Sequence, residues 1–207
     1  MDKVRLEAFS DNVFSIAMTL LVFDIHVPVI AGIVSNHELW SQLATVVPLI
    51  VIFAVSFIVM AVLWTNHHFL FHTFVKGGDR WLNLLNLTYL MFVAFVPFSA
   101  SLIGTYWHHQ PAGIIYGVNL LCLMTLFAAM LNYVRLHPDL RSDELTERQF
   151  AQARFRGRLS FACYFVGIAM TFVYIPVSVF LYIFPVIFNI IPGTLNLVER
   201  VFRFKLG

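Results

Sequence analysis

Long apolar runs, separated by short polar stretches, divide the chain. A helix needs about 20 mostly apolar residues to cross the hydrocarbon core of a bilayer, and four runs of that size precede residue 135. No residue is charged from Leu159 to Val198, a length that suits two spans with a break near Tyr182 to Pro185. We therefore predict an all-α membrane protein with six transmembrane helices, at residues 9–27, 39–66, 81–107, 113–134, 159–181 and 184–203.

The composition agrees with this pattern. Of the residues, 60% are hydrophobic and 12% are charged, whereas soluble domains are about half apolar and a quarter charged. The first apolar run lacks an A-x-A-like cleavage site and is followed by further spans, so we expect a first span and not a signal peptide. Residues 135–158 are predicted to be a linker, in which Ser142-Asp143-Glu144-Leu145 opens an interfacial helix. Without an internal repeat, residues 1–207 are expected to form a single six-span domain.

The basic residues follow the predicted spans closely. All 13 lysines and arginines precede span 1, lie between spans 2 and 3, lie in the 135–158 linker, or follow span 6. Five spans would scatter them over both faces of the membrane. Because cytoplasmic loops carry the excess of Lys and Arg, we expect a multi-pass protein of the cell (plasma) membrane with both termini cytoplasmic.

Span 1 carries polar residues on one helical stripe. The stripe contains, in order, Asn12, Ile16, Thr19, Leu20, Phe23 and Val27. One interpretation is a ridge packed into neighbouring helices. The other is a pore wall, in which a hydrophobic ring gates by dewetting, and this requires an oligomer because one stripe becomes a ring only by symmetry. Asp24, at the outer end, is then either a cation-concentrating pore mouth or an acid solvated at the interface.

The histidines of span 2 raise the possibility of a metal site. His68 and His72 have the i, i+4 spacing of a helical metal pair, but no Cys or acid stands near enough in sequence to complete a zinc site. We expect instead that Trp64, Asn66, His67 and His68 form hydrogen bonds at the inner end of span 2, against the polar start of span 1.

Motifs for other functions are lacking. The sequence has no GxSxG, no paired catalytic carboxylates and no nucleotide-binding motif, so we expect no enzyme activity, no cofactor and no nucleic-acid partner. A secondary transporter and a His-dependent membrane metal protein remain the alternatives to a channel. We expect Pro176 and Pro192 to kink the last two spans, and prolines clustered there argue weakly against a transporter with broken helices in both halves.

Several short motifs resemble one family. Arg5, Phe9, Ser10 and Asp11 match an R-x-x-x-F-S-D signature, and a TLL-containing run follows at residues 16–22. Further matches are Trp64 with His67 and His68, then Asp79, Leu82, Asn86 and the VPF at Val96-Pro97-Phe98. The pattern resembles the transmembrane protein 175 family of potassium channels, most strongly over residues 5–104.

The resemblance implies a passive, potassium-preferring cation channel in which span 1 of each chain of a homotetramer lines a central pore. It implies that Ile16 forms the narrowest ring, with Thr19 and Leu20 close to it, and helical spacing extends the lining to Phe23. Asn12 and Asp24 would lie at the pore mouths. The residues implied to hold span 1 in place, with Arg5 and Asp11 in buried pairing, are Arg5, Phe9, Ser10, Asp11, Trp64, His67 and His68. The implied partners are potassium ions, the lipid bilayer and three further copies of the chain, with no metal cofactor.

Overall fold

The fold is all-α. The computed structural model describes residues 3–30, 32, 35–142 and 146–191. Within these ranges there are six helices, numbered in chain order: α1 Lys3–Leu20, α2 Asn36–Phe69, α3 Arg80–Thr105, α4 Gln110–Leu136, α5 Glu147–Met170 and α6 Ile175–Ile190. A 3₁₀ turn, Leu21–Asp24, continues α1, and a π-helical turn, Leu70–Phe74, continues α2.

Four of the helices, α1 to α4, are long and apolar enough to cross a membrane by length and composition. Six helices were predicted, and the all-helical membrane fold is confirmed. The fifth helix combines a polar first half with an apolar second half, and α6 is a shorter apolar helix of 16 residues.

Side-chain caps explain where three helices begin. Asp79 accepts a hydrogen bond from the Leu82 N–H (2.8 Å) and so caps α3. Ser35 caps α2 in the same way. Thr146 and Gln149 form a reciprocal capping box at the start of α5. A helix thus begins within the predicted 135–158 linker, but at Glu147. Ser142 is not helical, and the other residues predicted to open the interfacial helix, 143–145, lie outside the described residues.

The predicted break in the last apolar stretch is wrong. The two helices separate at Thr171–Tyr174, not near Tyr182 to Pro185, because Pro176 occupies the first turn of α6, where its missing N–H costs nothing. Tyr182 is buried within α6 instead, and its hydroxyl donates to the Gly113 carbonyl of α4 (2.9 Å).

The proline argument also needs correction. Pro176 begins α6 and does not kink a helix, and Pro192 lies outside the described residues. Pro48 and Pro97 lie inside α2 and α3. Helix-interior prolines are therefore not confined to the last two helices, and their distribution no longer argues against a transporter.

The helices pack in a chain of neighbours, and α1 lies at one side of it. The first helix packs on α2 and α3, α3 on α4, α4 on α5, and α5 on α6, which also contacts α2. The α2–α3 and α4–α5 connections meet at one end, where the Lys76 N–H donates to the Leu140 carbonyl (2.7 Å) and the Ser142 N–H to the Phe74 carbonyl (2.9 Å). Two of the basic segments therefore lie on the same side of the bundle.

Candidate pore helix and its anchoring network

The first helix has two unlike faces. Its inner face, which packs on α2 and α3, consists of residues at most 2% exposed: Leu6, Ser10, Phe14, Ala17 and Leu21. Its outer face is left uncovered by the described part of the chain and contains Asn12, Ile16, Thr19 and Leu20, and Phe23 follows in the 3₁₀ turn. The predicted span to residue 27 is too long, because the chain becomes extended from Ile25, so Val27 is exposed but does not belong to the helical stripe. Ile16 is 59% exposed and Phe23 is 71% exposed. The predicted stripe is therefore not a ridge packed into helices of the same chain.

A buried polar network fixes the inner face. The Asn86 amide of α3 donates to the Ser10 hydroxyl (3.0 Å), and its carbonyl oxygen lies 2.7 Å from Nε2 of His67 on α2. Because that oxygen can only accept, the network assigns the proton of His67 to Nε2. Ser10 in turn donates to the Leu6 carbonyl (2.9 Å). Three helices are thus linked through side chains that are at most 1% exposed.

Aromatic rings enclose the imidazole of this network. The His67 ring stacks on Tyr89 of α3, with centroids 5.4 Å apart, and it also contacts Phe14 and Phe71. These contacts exclude water, so the hydrogen bonds form in a low-dielectric environment in which an unpaired polar group is costly. The network therefore holds α1 in one register against α2 and α3.

A second link lies nearer the surface. The Trp64 indole N–H donates to the Asp11 carboxylate (2.8 Å), and the Trp64 ring stacks on His68, which stacks on His72 with centroids 5.4 Å apart. These stacked rings continue along α2 towards the N-terminus of α1, where Lys3 donates to the His72 carbonyl (3.2 Å).

The resemblance places Arg5 and Phe9 in the anchoring network, but neither residue takes part in it within this chain. The Arg5 side chain is exposed and makes no ion pair or hydrogen bond with any residue that the structure describes, so the buried pairing expected for it is absent here. Phe9 is 50% exposed. Both belong to the outer side of the helix, since Leu6 and Ser10 occupy its inner face. Asn66 is also outside the network and borders a separate cavity near α5.

The 3₁₀ turn that follows α1 lies beside a partly polar cavity of about 280 Å³. Asp24 lines it together with His26, Ser56, Ser101 and Thr105. Asp24 is half-buried, and its backbone carbonyl lies 3.0 Å from Nδ1 of His26. The acid therefore stands at the end of the uncovered stripe, with hydroxyl groups of α2 and α3 nearby.

The histidine rings do not form a metal cluster. His68 and His72 stack nearly parallel, at an interplanar angle of 10°. Over residues 3–30, 32, 35–142 and 146–191, no group of three or more His, Cys, Asp or Glu side chains could hold a metal ion.

Sequence reasoning undervalued three residues of the network. Asn86 is singled out in the sequence only by the family resemblance, although it is the link between α1 and α2. Phe14 and Tyr89 were not singled out, although both enclose His67. Helical spacing could have identified Phe14, because Phe14 follows Ser10 by four residues and therefore lies on the same face of the helix.

These features define a polytopic helical membrane protein with a first helix that is anchored on one face and uncovered on the other. The family model for "Endosomal/lysosomal potassium channel TMEM175" matches residues 5–97. A potassium channel of Chamaesiphon minutus is 32% identical over 178 residues, which cover 84% of this chain and 87% of that protein. The chain belongs to the TMEM175 family.

Two further comparisons agree. A potassium channel of Streptomyces collinus is 38% identical over 130 residues, and the alignment covers 61% of each protein. The crystal structure of a lysosomal potassium-selective channel TMEM175 homolog from Chamaesiphon minutus matches with a TM-score of 0.76 at 30% identity, covering 90% of this chain and 95% of that one. The likeness therefore extends beyond the family match and into the last three helices.

Proposed function

We propose that this protein is a passive, potassium-preferring cation channel and that α1 from each of four chains lines its pore. The relatives over most of the chain are named potassium channels, and the matching crystal structure is titled a potassium-selective channel. No catalytic step is part of this proposal.

The observation that carries the proposal is the uncovered outer face of α1. Asn12 and Thr19 lie on this face, and polar groups facing lipid are unfavourable, whereas polar groups facing a water-filled path are not. The inner face is fixed by buried contacts, so the outer face has one orientation. Symmetry of a homotetramer brings four such faces together around one axis.

The ring of Ile16 side chains is the proposed constriction. Isoleucine has no oxygen with which to replace the hydration shell of an ion, and hydrophobic constrictions gate by dewetting. Discrimination then depends on how readily each ion deforms or loses its water. Potassium holds its water less tightly than sodium, which favours potassium with some leak of other monovalent cations. Thr19, Leu20 and Phe23 would line the path beyond this ring, and Asn12 and Asp24 its two mouths.

We further propose that both termini face the cytoplasm in the cell membrane. The α2–α3 and α4–α5 connections, which carry Lys76, Arg80 and Arg141, lie at one end of the bundle. Lys3 of α1 reaches the same end, since it donates to the carbonyl of His72. An excess of basic residues on one side favours the cytoplasmic orientation for that side.

The test is ion flux from proteoliposomes, with potassium and sodium compared for the wild type and for Ile16→Asn. We expect potassium flux to exceed sodium flux, and the difference to shrink in Ile16→Asn because the amide wets and widens the constriction. Ile187→Asn on α6 is the matched control, since Ile187 is 48% exposed and α6 does not pack on α1. The control should keep the wild-type ratio.

Two outcomes would contradict the proposal. An unchanged permeability ratio in Ile16→Asn would remove Ile16 from the constriction. Saturable, gradient-coupled uptake by protein that native mass spectrometry finds monomeric would identify a transporter instead. The same mass measurement should find four chains in the active wild-type protein.

A further inference from the structure

A partly polar cavity lies between α2, α4, α5 and α6, away from the candidate pore helix. Its volume is about 240 Å³, far more than the roughly 15 Å³ that admits one water molecule. Its polar lining comprises Asn66, Gln149, Gln152, Arg156, Ser160 and Asn189. Among its described lining residues there is no carboxylate. The cavity therefore carries one positive charge and several neutral hydrogen-bonding groups.

Two buried atoms of these lining residues have no hydrogen-bond partner in the described part of the chain. They are Nε of Arg156, which is a donor, and Oδ1 of Asn189, which is an acceptor. Buried polar atoms are normally paired, and an unpaired one calls for an explanation such as a bound group. A molecule that offers an anionic oxygen to Arg156 and a hydroxyl to Asn189 would satisfy both.

The position of Arg156 within the thickness of the bilayer indicates that the bound molecule is a lipid. Thr171, just after α5, touches Gly113 near the start of α4, so both lie at the end opposite to the basic connections. Arg156 precedes Thr171 by 15 residues, which is about 22 Å of helix, less than the roughly 30 Å thickness of the hydrocarbon core. A charged group at this depth is costly unless it is paired or reaches polar headgroups.

An adjoining cavity extends the basic character. It measures about 460 Å³ and shares Ala153 and Gly157 with the first cavity, while Arg154 and Arg158 also line it. Apart from its chain neighbours and the nearby backbone of its own helix, no described heavy atom lies within 4 Å of the position that a Cβ on Gly157 would occupy. The two cavities thus flank an open glycine on the polar half of α5, and the rest of the second lining is mainly apolar, as an acyl chain requires.

We propose that these cavities bind an anionic phospholipid of the leaflet on the side of the basic connections, with its phosphate at Arg156 and a headgroup hydroxyl at Asn189. Basic pockets between membrane helices are suited to such headgroups, and arginine recognises phosphate through several donors at once. The proposal concerns lipid binding and is independent of ion flux.

The test is native mass spectrometry of the full-length protein, titrated with phosphatidylglycerol and with phosphatidylcholine. The variants are Arg156→Gln, which removes the charge, and Gly157→Leu, which fills the open space. Leucine is a better helix former than glycine, so this second variant tests the site even if Arg156→Gln does not fold. Arg80→Gln is the control, since Arg80 is exposed at the start of α3.

We expect the wild type and Arg80→Gln to retain phosphatidylglycerol in preference to phosphatidylcholine. Each cavity variant should bind phosphatidylglycerol about tenfold more weakly, which is a difference of about 1.4 kcal/mol. Equal binding by Gly157→Leu or Arg156→Gln and by Arg80→Gln would overturn the proposal. Displacement of the lipid by inorganic phosphate would overturn the lipid assignment in favour of a site for free anions.

Discussion

The two faces of α1 differ in how they are built. The inner face is tied to α2 and α3 by the Ser10–Asn86–His67 hydrogen bonds and enclosed by aromatic rings. The outer face, with Ile16 and Thr19, is exposed in the described part of the chain, and the Thr19 hydroxyl bonds to its own helix at the Ile16 carbonyl (2.8 Å). One face therefore fixes the position of the helix, and the other is left uncovered by the described part of the chain, as the proposed pore lining requires.

This difference predicts that mutational effects separate by face. Inner-face changes should lower the free energy of unfolding and leave ion preference intact in whatever protein remains folded. Outer-face changes should alter flux with little effect on stability, because few contacts are lost.

The largest loss is expected for His67→Ala. The substitution removes a buried ring that contacts Phe14 and Tyr89 and leaves the Asn86 carbonyl oxygen unpaired. An unsatisfied buried group costs about 1–3 kcal/mol, and a large-to-small change in a core adds a cavity term. We expect a loss of about 3 kcal/mol or more, measured as a lower unfolding midpoint in detergent.

The neighbouring histidine provides the control for that measurement. His68 is exposed and contacts Trp64 and His72 by stacking only. His68→Ala should therefore cost less than about 1 kcal/mol. If the two alanine variants unfolded at the same temperature, the buried network would not be what holds α1.

An intermediate effect is expected for Asp11→Ala. The substitution leaves the Trp64 indole N–H without its acceptor. A buried ion pair with one partner removed would cost about 3–5 kcal/mol, but Asp11 is half-exposed and makes one hydrogen bond to Trp64. A loss of about 1.5 kcal/mol is expected. Assembly or gating should suffer before ion preference does.

Asp11→Asn separates the hydrogen bond from the charge. An amide oxygen can still accept from Trp64, so this variant should recover most of the stability lost in Asp11→Ala. A well-expressed Asp11→Ala tetramer with normal gating would contradict the anchoring role, and so would an Asn variant as unstable as the Ala variant.

Thr19→Val tests the outer face with nearly constant side-chain shape. Thr19 is exposed, and its hydroxyl bonds within its own helix, so stability should change by no more than about 0.5 kcal/mol. Single-channel current or liposome flux should fall, because each α1 of the proposed pore loses one hydroxyl group next to the proposed Ile16 ring. Normal flux combined with lower stability would reverse the assignment of the two faces.

Much of this arrangement could be predicted from the sequence, because it follows from helical periodicity and hydropathy. Helical spacing correctly places Asn12, Ile16, Thr19 and Leu20 on one exposed face, and apolar runs predict the all-helical membrane fold. The same spacing fails at Val27, because the chain leaves the helical conformation after Asp24. The capping pattern at Asp79 also follows from residue type.

The remaining features depend on contacts between distant residues. No local pattern identifies Asn86 as the link between Ser10 and His67, which lie 57 residues apart in sequence. The break at Thr171–Tyr174 was missed because the stretch is apolar throughout, and hydropathy does not distinguish a turn from a helix there. Whether Arg5 is exposed or paired depends on packing that its neighbours in sequence do not determine.

The smallest loss of stability is expected from removing a side-chain hydrogen bond that is remote from α1. This change provides a reference for the substitutions on both faces of α1. The Tyr133 hydroxyl of α4 donates to the Asp79 carboxylate (2.5 Å). Partial burial alone would raise the pKa of Asp79, but the hydrogen bonds from Tyr133 and the Leu82 N–H, with His137 nearby, lower it below its ordinary value of 3.8. Asp79 therefore stabilises the folded protein fully above that value, and this contribution is lost as the pH falls through the lowered pKa.

Tyr133→Phe should return the pKa of Asp79 towards its ordinary value and slightly lower the unfolding midpoint at neutral pH. The difference from the wild type should disappear in acid, once Asp79 is protonated in both proteins, which a series of unfolding midpoints from about pH 2 to about pH 7 would measure. A difference that persists unchanged at the acid end would mean that lost packing, and not the carboxylate, explains the effect. Because Tyr133 and Asp79 are remote from both faces of α1, the ratio of potassium to sodium flux in Tyr133→Phe should equal the wild-type value.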